Sequence, residues 1–240
     1  MSTLRRLSGP GWVILHDPVL LPQPQPEHFD PKAQLRAGAQ AAGAGRGAAL
    51  FVEGPGGQRW VLREYLRGGL PAKLLKRQYA WLGEERTRAF RECRLLQDMH
   101  AQGLPVPAPV GVAIWQRPLS WRGAILMQAV PGAESLADLL AQGAFEMNRD
   151  WPPLRDALRA CHRAGYRHAD LNARNLLRDQ SGAWVLIDWD RGRAGLPPAL
   201  CRRTLHRLVL SLDKIAKAEG WAAQPLSALR EALQLESTQP

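Results

Sequence analysis

The chain has 240 residues, 45% of them hydrophobic, which is enough to bury a core. No apolar run approaches the ~20 residues needed to span a bilayer. Lys and Arg number 32 against 22 Asp and Glu, a formal net charge of +10, so the molecule is drawn to nucleic acid, an acidic membrane face or phosphorylated ligands without a choice among them. The three cysteines, Cys93, Cys161 and Cys201, are odd in number and far apart, which argues against a disulfide framework or a zinc knuckle and suits a reducing compartment.

Arg5 and Arg6 precede a short apolar run over residues 12–15, closed by His16 and Asp17. It is too short for a signal peptide and no small-residue cleavage site follows. The expectation is a cytoplasmic protein that touches a membrane surface without crossing it. Residues 18–32 carry five prolines and read as extended or loop. An Ala/Gly-rich stretch follows, ending in Gly43, Gly45 and Gly47. Two β-favouring runs, 49–52 and 59–65, flank a turn over 54–57 and predict a hairpin. The glycines therefore sit at or before a hairpin, which is not the strand-to-helix setting of a Walker loop.

Residues 84–102 predict a helix, with Phe90, Cys93, Leu96 and either Leu95 or Met99 as an apolar stripe. Gly103 and the prolines at 105, 107 and 109 end it. Strands are predicted over 110–116 and 123–130, and Pro131-Gly132 marks a change of character. Helical patterns over 134–142 and 151–164 follow, then a loop over 168–175. A second hairpin is predicted from 176–177 and 184–187 around a turn at 179–182. The tail reads as helices over 198–218 and 225–235. This order predicts an α+β, two-lobed arrangement, with a β-rich first lobe over 1–130 and a small, mostly helical second lobe over 131–240.

The chemistry-bearing segment is His168-Ala-Asp-Leu-Asn-Ala-Arg-Asn175, which fits the kinase catalytic-loop template H-x-D-L-x-x-x-N. One carboxylate, Asp170, is placed to orient an attacking hydroxyl and receive its proton. An amide oxygen five residues on, at Asn175, is placed to help hold Mg²⁺ against a triphosphate. Thirteen positions later Asp188 ends an apolar strand and occupies the place of the metal-binding Asp of D-F-G, with Trp189 for the Phe. Mg²⁺ takes one or two carboxylates plus phosphate oxygens and water, so Asn175 with Asp188 makes a sensible site. Each piece alone is a common polar loop or turn; their combination is specific. Upstream, Gly43, Gly45 and Gly47 can admit backbone amides to phosphates, and a plain linker is their alternative. Arg63 stands where the strand lysine of V-A-I-K is expected, a departure because a guanidinium is a fork and an ammonium a point charge. Its expected partner is Glu92 within the helix; Glu84 and Glu85 lie at the helix start, where they favour the dipole.

Further segments carry a family resemblance: residues 61–69 (VLREYLRGG), 81–92 (WLGEERTRAFRE), 103–107 (GLPVP), 168–175 (HADLNARN) and 186–193 (LIDWDRGR). Together they resemble the 3-deoxy-D-manno-octulosonic acid (Kdo) kinases, of the lipopolysaccharide core kinases with a protein-kinase-like fold, from about residue 40 to 215. The resemblance implies an ATP- and Mg²⁺-dependent enzyme that phosphorylates the 4-hydroxyl of Kdo on a lipid A precursor. It implies a place on the cytoplasmic face of the inner membrane, bound peripherally to the anionic leaflet. It makes Asp170 catalytic and Asn175 and Asp188 metal-binding. Only about 50 residues follow Asp188 and no A-P-E motif occurs among them, which favours a small acceptor over a peptide. Arg67, Arg191 and Arg193 are candidates for the acceptor's anionic groups or plain surface arginines. The basic, leucine-rich 198–218 stretch reads as a lobe helix, with an interfacial helix as the alternative. The rivals are a heptose, aminoglycoside or choline-type kinase of the same fold, a catalytically dead kinase fold acting as a binding module, and a nucleic-acid binder. The last has only charge in its favour and lacks every signature of that class, so no nucleic-acid partner is expected.

Overall fold

In the computed structural model the described residues are 3–41, 49–65, 79–219 and 223–238. The chain divides into two compact units, residues 1–98 with 108–129 and residues 99–107 with 130–240.

The first unit is built on an antiparallel sheet. Its strands are β1 (Arg5–Gly9), β2 (Trp12–His16), β3 (Gln40–Ala41), β4 (Leu50–Glu53), β5 (Arg59–Glu64), β6 (Tyr79–Ala80), β7 (Pro109–Gln116) and β8 (Ser120–Gln128). Among the described residues the order is β1-β2-β7-β8-β5-β4-β3, with β6 also pairing to β8. The predicted hairpin is β4–β5, in register Leu50↔Leu62 and Val52↔Trp60. Alternation along β5 sends Trp60 and Leu62 to one face, where they join Ile14, Phe29, Val52, Val110 and Leu126 in the core. It sends Arg63 to the other. The 12–15 run, given no element by its pattern, is β2. It pairs with β7 from Trp12↔Trp115 to His16↔Gly111, and so belongs to the sheet. A short helix, α1 (Pro31–Arg36), follows with Asp30 as its cap, accepting from the Lys32 N–H at 2.9 Å.

The predicted 84–102 helix is α2 (Arg88–Ala101), preceded by a 3₁₀ turn over Glu84–Arg86. It starts four residues late because Thr87 has extended backbone angles and caps it, its Oγ1 accepting from the Phe90 N–H at 3.2 Å. Phe90, Cys93, Leu96 and Met99 are fully or almost fully buried, so Met99 rather than Leu95 completes the stripe.

The second unit begins with a small antiparallel sheet. Its strands are β9 (Glu134–Ser135), β10 (Leu176–Arg178) and β11 (Trp184–Leu186), in order β11-β10-β9. The β10–β11 turn is closed by Asp179, whose carboxylate accepts from the Ser181 and Ala183 amides at 2.8 and 2.9 Å. Around the sheet stand α3 (Leu136–Ala141), α4 (Met147–Arg163), α5 (Pro198–Arg202), α6 (Thr204–Glu219) and α7 (Ala223–Thr238). Ser135 and Asp138 form a capping box at α3. The α4 helix begins earlier than expected and runs through Pro152 and Pro153, its start fixed by Asp150 accepting from the Glu146 amide at 2.8 Å. Arg159 holds Glu236 with two bonds of 2.6 and 2.7 Å, joining α4 to α7. The apolar side of α6 (Leu205, Leu208, Val209, Leu212) is buried within this unit, so the basic stretch is a lobe helix with a charged outer side.

Candidate active site

The second unit organises its polar loop around one histidine. His168 is 1% exposed. Its Nδ1 accepts from the Asp170 amide at 3.1 Å, and its Nε2 donates to the Ile187 carbonyl at 2.8 Å. The two bonds require a neutral ring with its proton on Nε2. Burial pushes the ring's pKa down, against the bond to Ile187 and the nearby Asp188 and Asp170 carboxylates, which pull it up. The same ring packs at 4.7 Å against Trp189, whose indole N–H donates to the Leu186 carbonyl at 2.9 Å. A single side chain thus joins the backbone beside Asp170 to the backbone just before Asp188.

The Asp170 side chain is exposed and its carbonyl is the hub of the loop. Asn172 and Asn175 both donate to it through Nδ2 at 2.9 Å. Asn172 also accepts from the Arg174 amide at 3.0 Å and so begins the 3₁₀ turn over Ala173–Asn175. With its amide N–H groups turned to Asp170, Asn175 has its Oδ1 as the atom suited to a cation. The Ile187 amide donates to the Asn175 carbonyl at 3.0 Å, which sets Asn175 beside the strand end that carries Asp188. Asp188 has φ +62°, a left-handed conformation that Asp tolerates better than most residues, and Trp189 then turns back into the core. An amide oxygen and a carboxylate on adjacent backbone are hard donors of the kind Mg²⁺ takes. Among the described residues no group of three or more His, Cys, Asp or Glu is placed to hold a metal by itself.

In the first unit Arg63 and Glu92 are brought together. Nη2 of Arg63 donates to Oε1 of Glu92, and the Tyr65 hydroxyl donates to Oε2 at 2.7 Å. The Glu92 side chain is 1% exposed and that of Arg63 is 23% exposed. Burial first, and then the Glu92 charge, push the Tyr65 phenol well above its ordinary pKa, which keeps it a donor. Glu84 and Glu85 are engaged elsewhere, by Arg6 at 2.8 Å and Arg94 at 2.7 Å. Gly43, Gly45, Gly47 and Arg67 lie outside the described residues. Arg193 pairs through its backbone with Arg167 at 2.8 and 3.1 Å, and Arg191 adopts φ +63°.

Sequence reasoning missed a side chain that binds the Asp170 carboxylate. Arg207 on α6 donates to Oδ1 through Nε at 3.0 Å and through Nη2. It is one of several arginines on a basic helix, and no local pattern distinguishes it; only the docking of α6 against the loop does.

One neutral imidazole thus ties together the backbone that carries a carboxylate, an amide oxygen and a second carboxylate, groups of the kind that phosphoryl transfer to a hydroxyl uses. Comparison with known proteins gives the same class. The chain matches the Lipopolysaccharide kinase (Kdo/WaaP) family over residues 33–232, and it belongs to that family. It is 42% identical over 194 residues to the 3-deoxy-D-manno-octulosonic acid kinase of Stenotrophomonas maltophilia (strain K279a), covering 79% of this chain and 74% of the relative. It is 38% identical over 212 residues to the kinase of the same name from Xanthomonas euvesicatoria pv. vesicatoria (strain 85-10), covering 86% and 83%. Among solved structures, the co-crystal structure of WbdD with kinase inhibitor LY294002 aligns with a TM-score of 0.46 at 18% identity. That alignment covers 82% of this chain and 41% of the other, so the chain spans about two fifths of that protein. A kinase family works on ATP.

Proposed function

We propose that this protein transfers the γ-phosphate of ATP to the 4-hydroxyl of a Kdo residue on a lipid A precursor. The names of its relatives support the acceptor. The observation that carries the chemistry is the His168-centred loop, which presents Asp170 and Asn175 beside Asp188. Asp170 orients the attacking hydroxyl and takes up its proton as the new P–O bond forms and ADP departs. Asn175 and Asp188 hold Mg²⁺, which when bound offsets the charge of the phosphates. Arg63, braced by Glu92, binds nucleotide phosphates as a fork in place of the usual lysine, and Gly43, Gly45 and Gly47 let backbone amides approach them.

The charge of +10 suits a peripheral place on the anionic cytoplasmic face of the inner membrane. Among the described residues no helix is long and apolar enough to cross a membrane. The test is turnover of purified protein with ATP, Mg²⁺ and a Kdo-bearing lipid A precursor, with mass spectrometry of the product. One phosphate should be gained on Kdo, and Asp170→Asn should lower kcat by roughly two to four orders of magnitude while nucleotide binding persists. Near-normal turnover by Asp170→Asn would refute the role given to that carboxylate.

A further inference from the structure

Beside Asp170 lies an open cavity of about 540 Å³, within the size range of small-ligand sites. Its walls are Arg174 and Asn172 from the catalytic loop and one side of α6, including Arg207, Ser211 and Lys214, with Leu210 and Ile215 as the apolar part. The α6 members recur at three- and four-residue intervals, opposite the buried Leu205, Leu208 and Leu212, so the helix presents them as a single stripe. Three cations around one carboxylate give this cavity a net positive lining. Lys214 is exposed and makes no ion pair among the described residues. Both bonds from Arg207 fall on Oδ1 of Asp170, which leaves Oδ2 for a hydroxyl. The remaining N–H groups of the Arg207 fork are suited to a second oxyanion.

We propose that this stripe of α6, with Arg174, is the subsite that binds the carboxylate of the acceptor sugar; the proposal rests on the Kdo kinase reading given above. Arg207 is then a specificity residue that grips Asp170 and acceptor together. An anion on its free edge lies roughly 6 to 8 Å from the Asp170 carboxylate, two hydrogen-bond lengths plus the width of a guanidinium. That separation is spanned by one sugar ring bearing both the hydroxyl and the carboxylate. A lipid A phosphate offers the same oxyanion chemistry but belongs to a different sugar, farther from the reacting hydroxyl.

The experiment compares wild type, Lys214→Ala and Arg207→Gln on three acceptors. One is the intact Kdo-bearing precursor, one has the Kdo carboxyl reduced to the alcohol, and one lacks the lipid phosphates. On the intact acceptor each substitution should raise the acceptor KM roughly ten-fold and leave the ATP KM unchanged. On the carboxyl-reduced acceptor wild type should lose a similar factor and the substitutions should add nothing. On the phosphate-free acceptor the ten-fold effect of each substitution should persist. An effect that vanishes with the phosphates instead of the carboxyl would overturn the carboxylate assignment. A raised ATP KM, or unchanged kinetics for both variants on the intact acceptor, would overturn the subsite while leaving the kinase reading in place. Wild-type protein that transfers to none of the three would overturn the Kdo reading and the subsite with it. Lys214→Ala alters an exposed side chain with no ion pair among the described residues, so its result does not depend on a repaired fold.

Discussion

Replacing Glu92 by Gln keeps the shape of the side chain and removes its charge. The carboxylate is 1% exposed, accepts from Tyr65 at 2.7 Å, and faces a guanidinium that is about three-quarters buried. Breaking a buried ion pair by neutralising one partner costs about 3 to 5 kcal/mol, because the other charge stays behind in a poorly solvated place. The remaining exposure of Arg63 admits some water, which places Glu92→Gln near the lower end, at about 3 kcal/mol. For a chain of this size that lowers Tm by about 6 to 12 °C. Scanning calorimetry, or circular dichroism melts with a urea series, measures it. The double variant Arg63→Met with Glu92→Leu removes both charges and should cost less than Glu92→Gln alone. A Tm change under about 2 °C for Glu92→Gln, or a double variant that costs as much as the summed single variants, would refute the view that this pair is a buried and mutually dependent unit.

Burial first, then the charge of Arg202, push the His162 pKa down to about 4. The unfolded value is near 6.5, so the neutral folded ring contributes stability that is full above pH 6.5 and is lost as pH falls toward 4. Lowering pH from 7 to 5 should cost about 2 kcal/mol from this group alone, and His162→Gln should flatten that part of the pH–stability profile. Asp188→Asn keeps a residue that accepts the left-handed backbone, so it should fold with nearly unchanged Tm while activity falls by at least roughly 10²-fold; Asp188→Ala should also lose about 1 kcal/mol of stability in a denaturant titration. Gly165 has φ +79° and a Cβ there would lie 2.9 Å from the Leu196 carbonyl oxygen. Gly165→Ala should therefore destabilise the second unit by about 2 kcal/mol in the same titration.

Much of the fold was legible because its signals are local. The β4–β5 and β10–β11 hairpins announced themselves by β-favouring runs around Gly, Pro or Asp turns. The α2 stripe followed helical spacing, with the choice between Leu95 and Met99 left to packing. The N-terminal hairpin was not read because the 12–15 run is too short to be assigned by pattern, and its two partners are the charged β1 and β7, the latter almost a hundred residues away. Spacing was enough to expect Asp170, Asn175 and Asp188 on neighbouring backbone, and the place of Glu92 within a helix was enough to expect its meeting with Arg63. The contact of Arg207 with Asp170 was not legible, since it depends on how α6 lies against the loop.

The charged first strand has a use beyond its hydrogen bonds. Val110, Val112 and Ile114 of β7 are wholly buried, and β2 covers the flank of that strand. Were the hairpin removed, β7 would present an apolar template eight residues long to other chains. With it in place the outermost strand is Arg-Arg-Leu-Ser-Gly, exposed almost throughout and latched by Arg6 to Glu84. Two like charges on a short border strand repel a second copy that would dock there. Residues 5–16 thus cover an apolar edge, and trimming them should cost solubility and, with the loss of Ile14 from the core, stability.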